Sequence, residues 1–181
     1  MKNNAINPER SRSQVRILGL DVALRKTGYG IIDSNGQTFK VIDCGLISTP
    51  QKAPLSECLR RLHSGVGEVV DEYAPQMTGI ESGFFYKNAK TAMLLGSARG
   101  AVIGPIAETG IPIYEYSPRR IKQAVCGYGN ADKKQISRLV GQMLSLNTEE
   151  MSDDVTDALG IAICHAHTYF TNQGAFLPEP V

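Results

Sequence analysis

The chain has 181 residues, 42% of them hydrophobic and 20% charged, with a net charge of +1, the profile of one ordinary globular domain with a real core. No stretch approaches the ~20 apolar residues of a membrane span, and the first fourteen residues, MKNNAINPERSRSQ, lack the apolar centre of a secretory signal; the expected location is cytoplasmic. Cys44, Cys58, Cys126 and Cys164 are scattered without a C-x-x-C pair, which speaks against a disulfide framework or a zinc site.

In chain order, residues 16–23 (RILGLDVA) form a short apolar run that predicts a buried strand. Residues 28–33 (GYGIID) and 39–48 (FKVIDCGLIS) predict two more, with Ser34-Asn35-Gly36 as the hairpin signal between them. From Pro54 to Tyr73, helical spacing puts Leu55, Leu59, Leu62, Val66, Val69 and Val70 on one stripe, and Pro75 ends the helix. A fourth strand is expected over 77–82, a second long helix from Asn88 to about Thr109, and a fifth strand over 111–116. Ser117-Pro118 supplies an N-cap and first-turn proline for a basic helix. Two more helices are predicted near 131–146 and over 152–169. Hairpins first and α/β alternation afterwards imply an α/β fold, a mixed five-stranded sheet flanked by helices on both faces. The domain spans 16–170, between a flexible N-terminal extension (1–15) and a flexible C-terminal tail (171–181).

Charge is unevenly distributed. Residues 84–140 hold nine lysines and arginines against three acids, whereas residues 141–181 hold six acids and no lysine or arginine. A basic middle beside acidic patches suits a phosphate-binding surface around a metal site, though solvated faces of chance sign would read the same.

Four acids stand where structure should be apolar. Asp21 interrupts ILGL, Glu81 closes the fourth strand, and Asp154 and Asp157 lie at i and i+3 in the last helix. Val155, Leu159, Ala162, Ile163 and Ala166 make one face of that helix, while Ile161 and His165 continue the acidic face, so the helix should pack on both sides. Each acid alone has an ordinary reading: Asp154 complementing a helix dipole, Asp21 bonding a turn, Glu81 pairing with Lys87. All four together are better explained by a shared divalent cation, because unpaired buried carboxylates are costly. Oxygen-only clusters suit Mg²⁺ or Mn²⁺, and two such ions serve phosphodiester hydrolysis. Spacing alone leaves open whether Asp153 or Asp154 partners Asp157.

The segments ILGLD…TGYGII (17–32), IESGFFYKNAKTAMLLGSARG (80–100) and DDVTDALGIAICHAH (153–167) resemble, in order, the RuvC family of Holliday junction resolvases. The resemblance covers 16–168 and implies a ribonuclease-H-like fold, a homodimer, two Mg²⁺ per active site with Mn²⁺ able to substitute, and symmetric nicking of four-way DNA junctions during recombination and repair. It also implies, as partner, a branch-migration motor of the RuvA/RuvB type. Carried over by motif, the catalytic and metal-holding acids are Asp21, Glu81, Asp154 and Asp157, the D-x-x-D-A-L register favouring Asp154 over Asp153. Phe84 falls on the family's junction-touching aromatic, and Lys122 and Lys133 on its basic rim; Lys87 and Arg119 are further candidate DNA contacts. The chain departs from the family's Asp-Pro-Gly, reading Asp21-Val22-Ala23, which puts the exit of the first strand in question.

Gly96, Gly100 and Gly104 recur every fourth residue of the second helix, a cost of ~1 kcal/mol each relative to Ala that suggests another backbone approaching, from the same chain or a second subunit. His63, His165 and His167 make no convincing metal or triad set and are expected to have ordinary packing or surface roles. Three alternatives share parts of the pattern: a ribonuclease-H-like nuclease acting on another structured nucleic acid, an actin-like phosphotransferase (for which one domain is too small), and a non-catalytic junction-binding relative.

Overall fold

A computed structural model describes residues 13–83, 88–171 and 177–181. The elements in chain order are β1 (Val15–Asp21), β2 (Lys26–Ser34), β3 (Phe39–Ser48), α1 (Leu55–Tyr73), β4 (Met77–Glu81), α2 (Ala89–Glu108), β5 (Ile113–Tyr116), α3 (Pro118–Cys126), α4 (Lys133–Leu144) and α5 (Asp153–Phe170). They build one five-stranded sheet in the order β3-β2-β1-β4-β5. The first three strands run antiparallel, as hairpin-linked strands can. β1–β4 and β4–β5 pair parallel; α2 bridges the second pair, while the chain between β1 and β4 runs through β2, β3 and α1. The predicted mixed five-stranded sheet is present, with element boundaries shifted by at most two residues.

Side chains alternate across the sheet, and the two faces bury different helices. On one face Leu18, Leu20, Ile31 and Ile80 meet Leu62, Val66, Val69 and Val70 of α1 and Ala98, Val102 and Ile106 of α2. The α1 stripe begins later than predicted: Leu55 is exposed in the first turn and Cys58 takes the buried place. On the other face Val15, Ile17 and Ile32 meet α5, with α4 packed over it through Ile136, Val140 and Leu144.

α5 is sandwiched between sheet and helices, buried from Ala158 to Ala166, as apolar residues on both its sides predict. It lies unusually low because glycines floor it. A Cβ on Gly19 would sit 2.1 Å from the Ala158 carbonyl oxygen, and one on Gly28 would sit 1.9 Å from that of Asp154. No side chain fits there, so the helix backbone rests directly on the strands.

Helix ends are specified locally, and the Ser117-Pro118 cap is as predicted. The Asn88 side chain accepts from the amides of Lys90 and Thr91, Ser117 caps α3 ahead of Pro118, and Ser152 caps α5. Part of the predicted loose tail, 172–176, and most of the N-terminal extension lie outside the described residues. Beyond it Leu177 packs against the cluster of Tyr114, Tyr116 and Ile121, and the Val181 amide donates to the Ile113 carbonyl at 2.9 Å.

Candidate active site

Asp21 is the last residue of β1 and Glu81 the last of β4, and these two strands are parallel neighbours. Both are odd-numbered in strands whose odd residues (Ile17, Gly19; Met77, Gly79) face α5, so both carboxylates leave the sheet toward that helix. The N-terminal end of α5 then brings Asp154 and Asp157 over the same strand ends. Asp21, Glu81 and Asp157 line one pocket of about 320 Å³ with Lys122, Lys133, Pro118, Ile121, Ile136 and Ile161. Residues 60 to 136 positions apart are thereby gathered at one edge, while Asp154 is not among the residues that line the pocket.

The electrostatics are those of crowded like charges. Burial pushes the Asp21 carboxyl up to about 7, and the charges of Asp157, Glu81 and Asp154 push the same way, with Lys133 opposing. Glu81 is raised by burial and Asp157, with Lys133 and Lys122 pulling it back. Asp157 is raised by burial and relieved first by Lys133, whose Nζ lies 3.5 Å from its carboxylate. Among the described residues the ion-paired carboxylates are those of Asp33, Glu57, Glu115, Asp153 and Asp157; Asp21, Glu81 and Asp154 are in none. The turn and dipole readings leave Asp21 uncompensated.

This all-oxygen, negatively charged donor set fits a hard divalent cation in charge and ligand type. As placed, no three His, Cys, Asp or Glu side chains among the described residues converge closely enough to enclose an ion. Asp153 is exposed and reaches Lys133 at 3.8 Å, while the charge of Asp154 acts on Asp21.

The other candidate residues divide. Lys122 and Lys133 line the acid pocket. Arg119 does not: its side chain lies against Gly129, in the turn between α3 and α4. Phe84 and Lys87 lie outside the described residues. The altered turn after β1 is closed by Thr27, whose hydroxyl donates to the Ala23 carbonyl at 2.8 Å. Among described non-glycine residues only Ala74 and Ser145 have positive φ, so Val22 and Ala23 need no glycine.

The histidines take ordinary roles, His165 buried, His167 partly buried and His63 exposed. His165 is fully buried, its Nδ1 2.7 Å from the Tyr116 hydroxyl, and burial lowers it to about 4. His167 sits edge-on to Phe39, and His63 lies against Gly104. A Cβ added to Gly96 or Gly100 would meet nothing within 4 Å, so the close approach suggested there does not come from the described part of this chain. A larger cleft, about 640 Å³, is lined by Glu115, Tyr116, Arg120, Thr168 and Leu177; it holds none of the four acids. Sequence reasoning missed Arg99, which bonds the Glu81 main chain; its signal was a lone cation within the small-residue run GSARGAV.

The family model described as crossover junction endodeoxyribonuclease RuvC matches residues 17–165. A crossover junction endodeoxyribonuclease RuvC from Chloroflexus aggregans is 41% identical over 88% of this chain and 97% of its own. One from Alkaliphilus oremlandii is 45% identical over 84% and 93%. Among solved structures, Thermus thermophilus RuvC in complex with Holliday junction substrate superimposes with a TM-score of 0.84 at 29% identity, over 92% of this chain and 99% of that one. The yeast mitochondrial resolvase Ydc2 shares the fold at a TM-score of 0.62 and 13% identity, over 88% and 82%. With the mixed sheet, the ribonuclease-H-like architecture and a family match that runs almost from end to end, this chain belongs to the RuvC family of crossover junction endodeoxyribonucleases.

Proposed function

We propose that the protein resolves Holliday junctions by nicking opposed strands at the crossover, and that Asp21, Glu81, Asp154 and Asp157 form its catalytic centre. One observation carries the assignment of the acids: Asp21, Glu81 and Asp157 share one pocket, where burial first, and then the charges of Asp157, Glu81 and Asp154, raise Asp21 to about 7, a costly arrangement that a bound cation would relieve. The junction substrate held by the Thermus thermophilus relative supports the choice of DNA.

The four carboxylates would hold the ions, two Mg²⁺ with Mn²⁺ able to substitute. When bound, such ions supply Lewis-acid polarisation of the scissile phosphate and the attacking water. The chain's own residues do the rest. Lys133, 3.5 Å from Asp157, favours its ionised form and presents a cation at the pocket mouth. Lys122 acts likewise on Glu81, and both are placed to hold a phosphate oxygen. Ile121, Ile136 and Ile161 line the pocket and give it an apolar wall. Attack in line on phosphorus breaks the bond to the 3′ oxygen, leaving 5′-phosphate and 3′-hydroxyl ends. Phe84 and Lys87 are assigned to contact with the unstacked junction, and Arg119 to the DNA surface flanking α3, outside the pocket.

A four-way junction with two-fold symmetry asks for two equivalent sites, so the working form is a homodimer; the open surface at Gly96 and Gly100 supports α2 as its contact. A motor of the RuvA/RuvB type would deliver the junction. No described helix is long and apolar enough to cross a membrane, in keeping with action in the cytoplasm.

The test is cleavage of a synthetic mobile junction with Mg²⁺. Wild type should give paired symmetric nicks; Asp21→Asn should bind the junction and leave it whole. Equal cleavage by both would remove Asp21 from the mechanism.

A further inference from the structure

We infer that Arg99 is a positioning residue for the acid pocket, acting through the main chain of Glu81 from the opposite face of the sheet. This rests on the reading of Glu81 as a catalytic acid. Strand alternation sends Ile80 into the core shared with α1 and α2, while the Glu81 side chain lines the pocket on the α5 side. Glu81 is the final residue of β4, and the pairing of β4 with β1 stops one residue earlier, at Leu20↔Ile80. Its carbonyl has therefore run past the ladder on that side. Arg99 supplies the missing partner: Nη1 donates to the Glu81 carbonyl at 2.8 Å.

The same guanidinium is anchored at its other end. Nη2 pairs with the carboxylate of Glu115, a residue of β5 that stands beside Ile80 in the parallel ladder. A planar fork held at both ends is a stiff strut, which a flexible ammonium cannot reproduce. The Ser82 amide, donating to the Tyr116 carbonyl at 2.8 Å, fixes the following peptide from β5.

Arg99 also spans the connection that leaves β4 at Glu81 and enters α2 at its N-cap, Asn88. A single side chain in α2 thus ties that helix to the point from which the Glu81 carboxylate is aimed. Its side chain is 19% exposed, so water does not readily substitute for it. Loss of such an outer partner ordinarily costs 10–100-fold in metal affinity or activity, and a displacement of about 1 Å at a reacting group can cost ~10²-fold.

The experiment compares wild type, Arg99→Gln, Arg99→Lys and Glu115→Gln, with Asp21→Asn as control. Nicking rate at saturating junction is followed across an Mg²⁺ titration. Junction affinity in EDTA and the Mg²⁺-dependent rise in unfolding temperature are read on the same proteins. Arg99→Gln should lower the maximal rate roughly 10–100-fold and move the Mg²⁺ midpoint upward in both nicking and thermal stabilisation, with junction affinity in EDTA unchanged. Arg99→Lys, which keeps a charged donor for one of the two contacts, should recover part of the loss, and Glu115→Gln should fall between. An Arg99→Gln protein that nicks at the wild-type rate with an unshifted Mg²⁺ midpoint overturns the inference. So does a defect that vanishes when the assay is cooled well below the unfolding transition, since that is a stability role alone. Failure of wild type to nick, or cleavage by Asp21→Asn at the wild-type rate, would instead overturn the reading of the acid pocket.

Discussion

Replacing Asp21 by Asn should stabilise the metal-free protein at pH 8 while removing its activity. The Asp21 carboxyl, ordinarily near 3.8, is pushed up to about 7, first by burial and then by Asp157, Glu81 and Asp154. Between those two values the folded protein holds a proton that the unfolded chain has released, so stability falls as pH rises through the window and stays low above it. At about 1.36 kcal/mol per pH unit, the ceiling is about 4 kcal/mol. Asp21 is only partly enclosed and its neighbours face an open pocket, so screening reduces the realised gain to roughly 1–3 kcal/mol. Asn carries no charge at any pH, so the two proteins should be equally stable near pH 4 and diverge toward pH 8. Urea unfolding in EDTA measures this: with a slope of ~1–3 kcal/mol per molar, the midpoint should rise by about 1 M at pH 8. High salt should narrow the gap, and Mg²⁺ should stabilise wild type more than the variant. An Asn variant no more stable than wild type at pH 8, or a gap of equal size at pH 4, would refute the picture of an acid strained by its neighbours.

Gly28→Ala should be severe, because the new methyl would lie 1.9 Å from the Asp154 carbonyl oxygen; backbone cannot yield there without lifting α5, so a stability loss of ~1–3 kcal/mol and a matching fall in nicking rate are expected from urea unfolding and junction assays. Lys133→Gln removes the group that chiefly holds Asp157 down, so the acid limb of the pH–rate profile should move to higher pH; an unmoved limb would separate Lys133 from Asp157. His165 is lowered to about 4 by burial, so its contribution to stability is present above its ordinary 6.5 and is lost as pH falls toward 4. Tyr116→Phe, which strips the buried His165 Nδ1 of its 2.7 Å partner, should cost about 1–3 kcal/mol at neutral pH, measured by urea unfolding.

The arrangement of strands and helices was legible because each rests on local rules: short apolar runs bounded by turn signals for the strands, a stripe every three to four residues for α1, and Ser117-Pro118 as a cap for α3. Where local reading slipped, burial decided. Leu55 fits the α1 stripe by spacing, yet the helix starts beyond the edge of the core, and Cys58 is buried instead. Gly96 and Gly100 look alike in sequence to Gly19 and Gly28, but only the second pair meets another backbone. Whether a glycine faces a helix or open space is a fact of packing.

By itself, the order of residues singled out four candidate acids and the elements on which they ride: a strand-ending Asp21 and Glu81, and Asp154 and Asp157 one helical turn apart. Tertiary structure alone decided that parallel pairing sets Asp21 beside Glu81, and that the glycine floor lets α5 descend until Asp157 lines their pocket. It also decided that Lys133 reaches that pocket while Arg119 turns to Gly129, and that Arg99 grips the Glu81 main chain from behind. The physical reason is range. Propensity and periodicity act within a few residues, whereas charge repulsion, close approach and hydrogen bonds to a strand end depend on distances through space that only the folded chain sets.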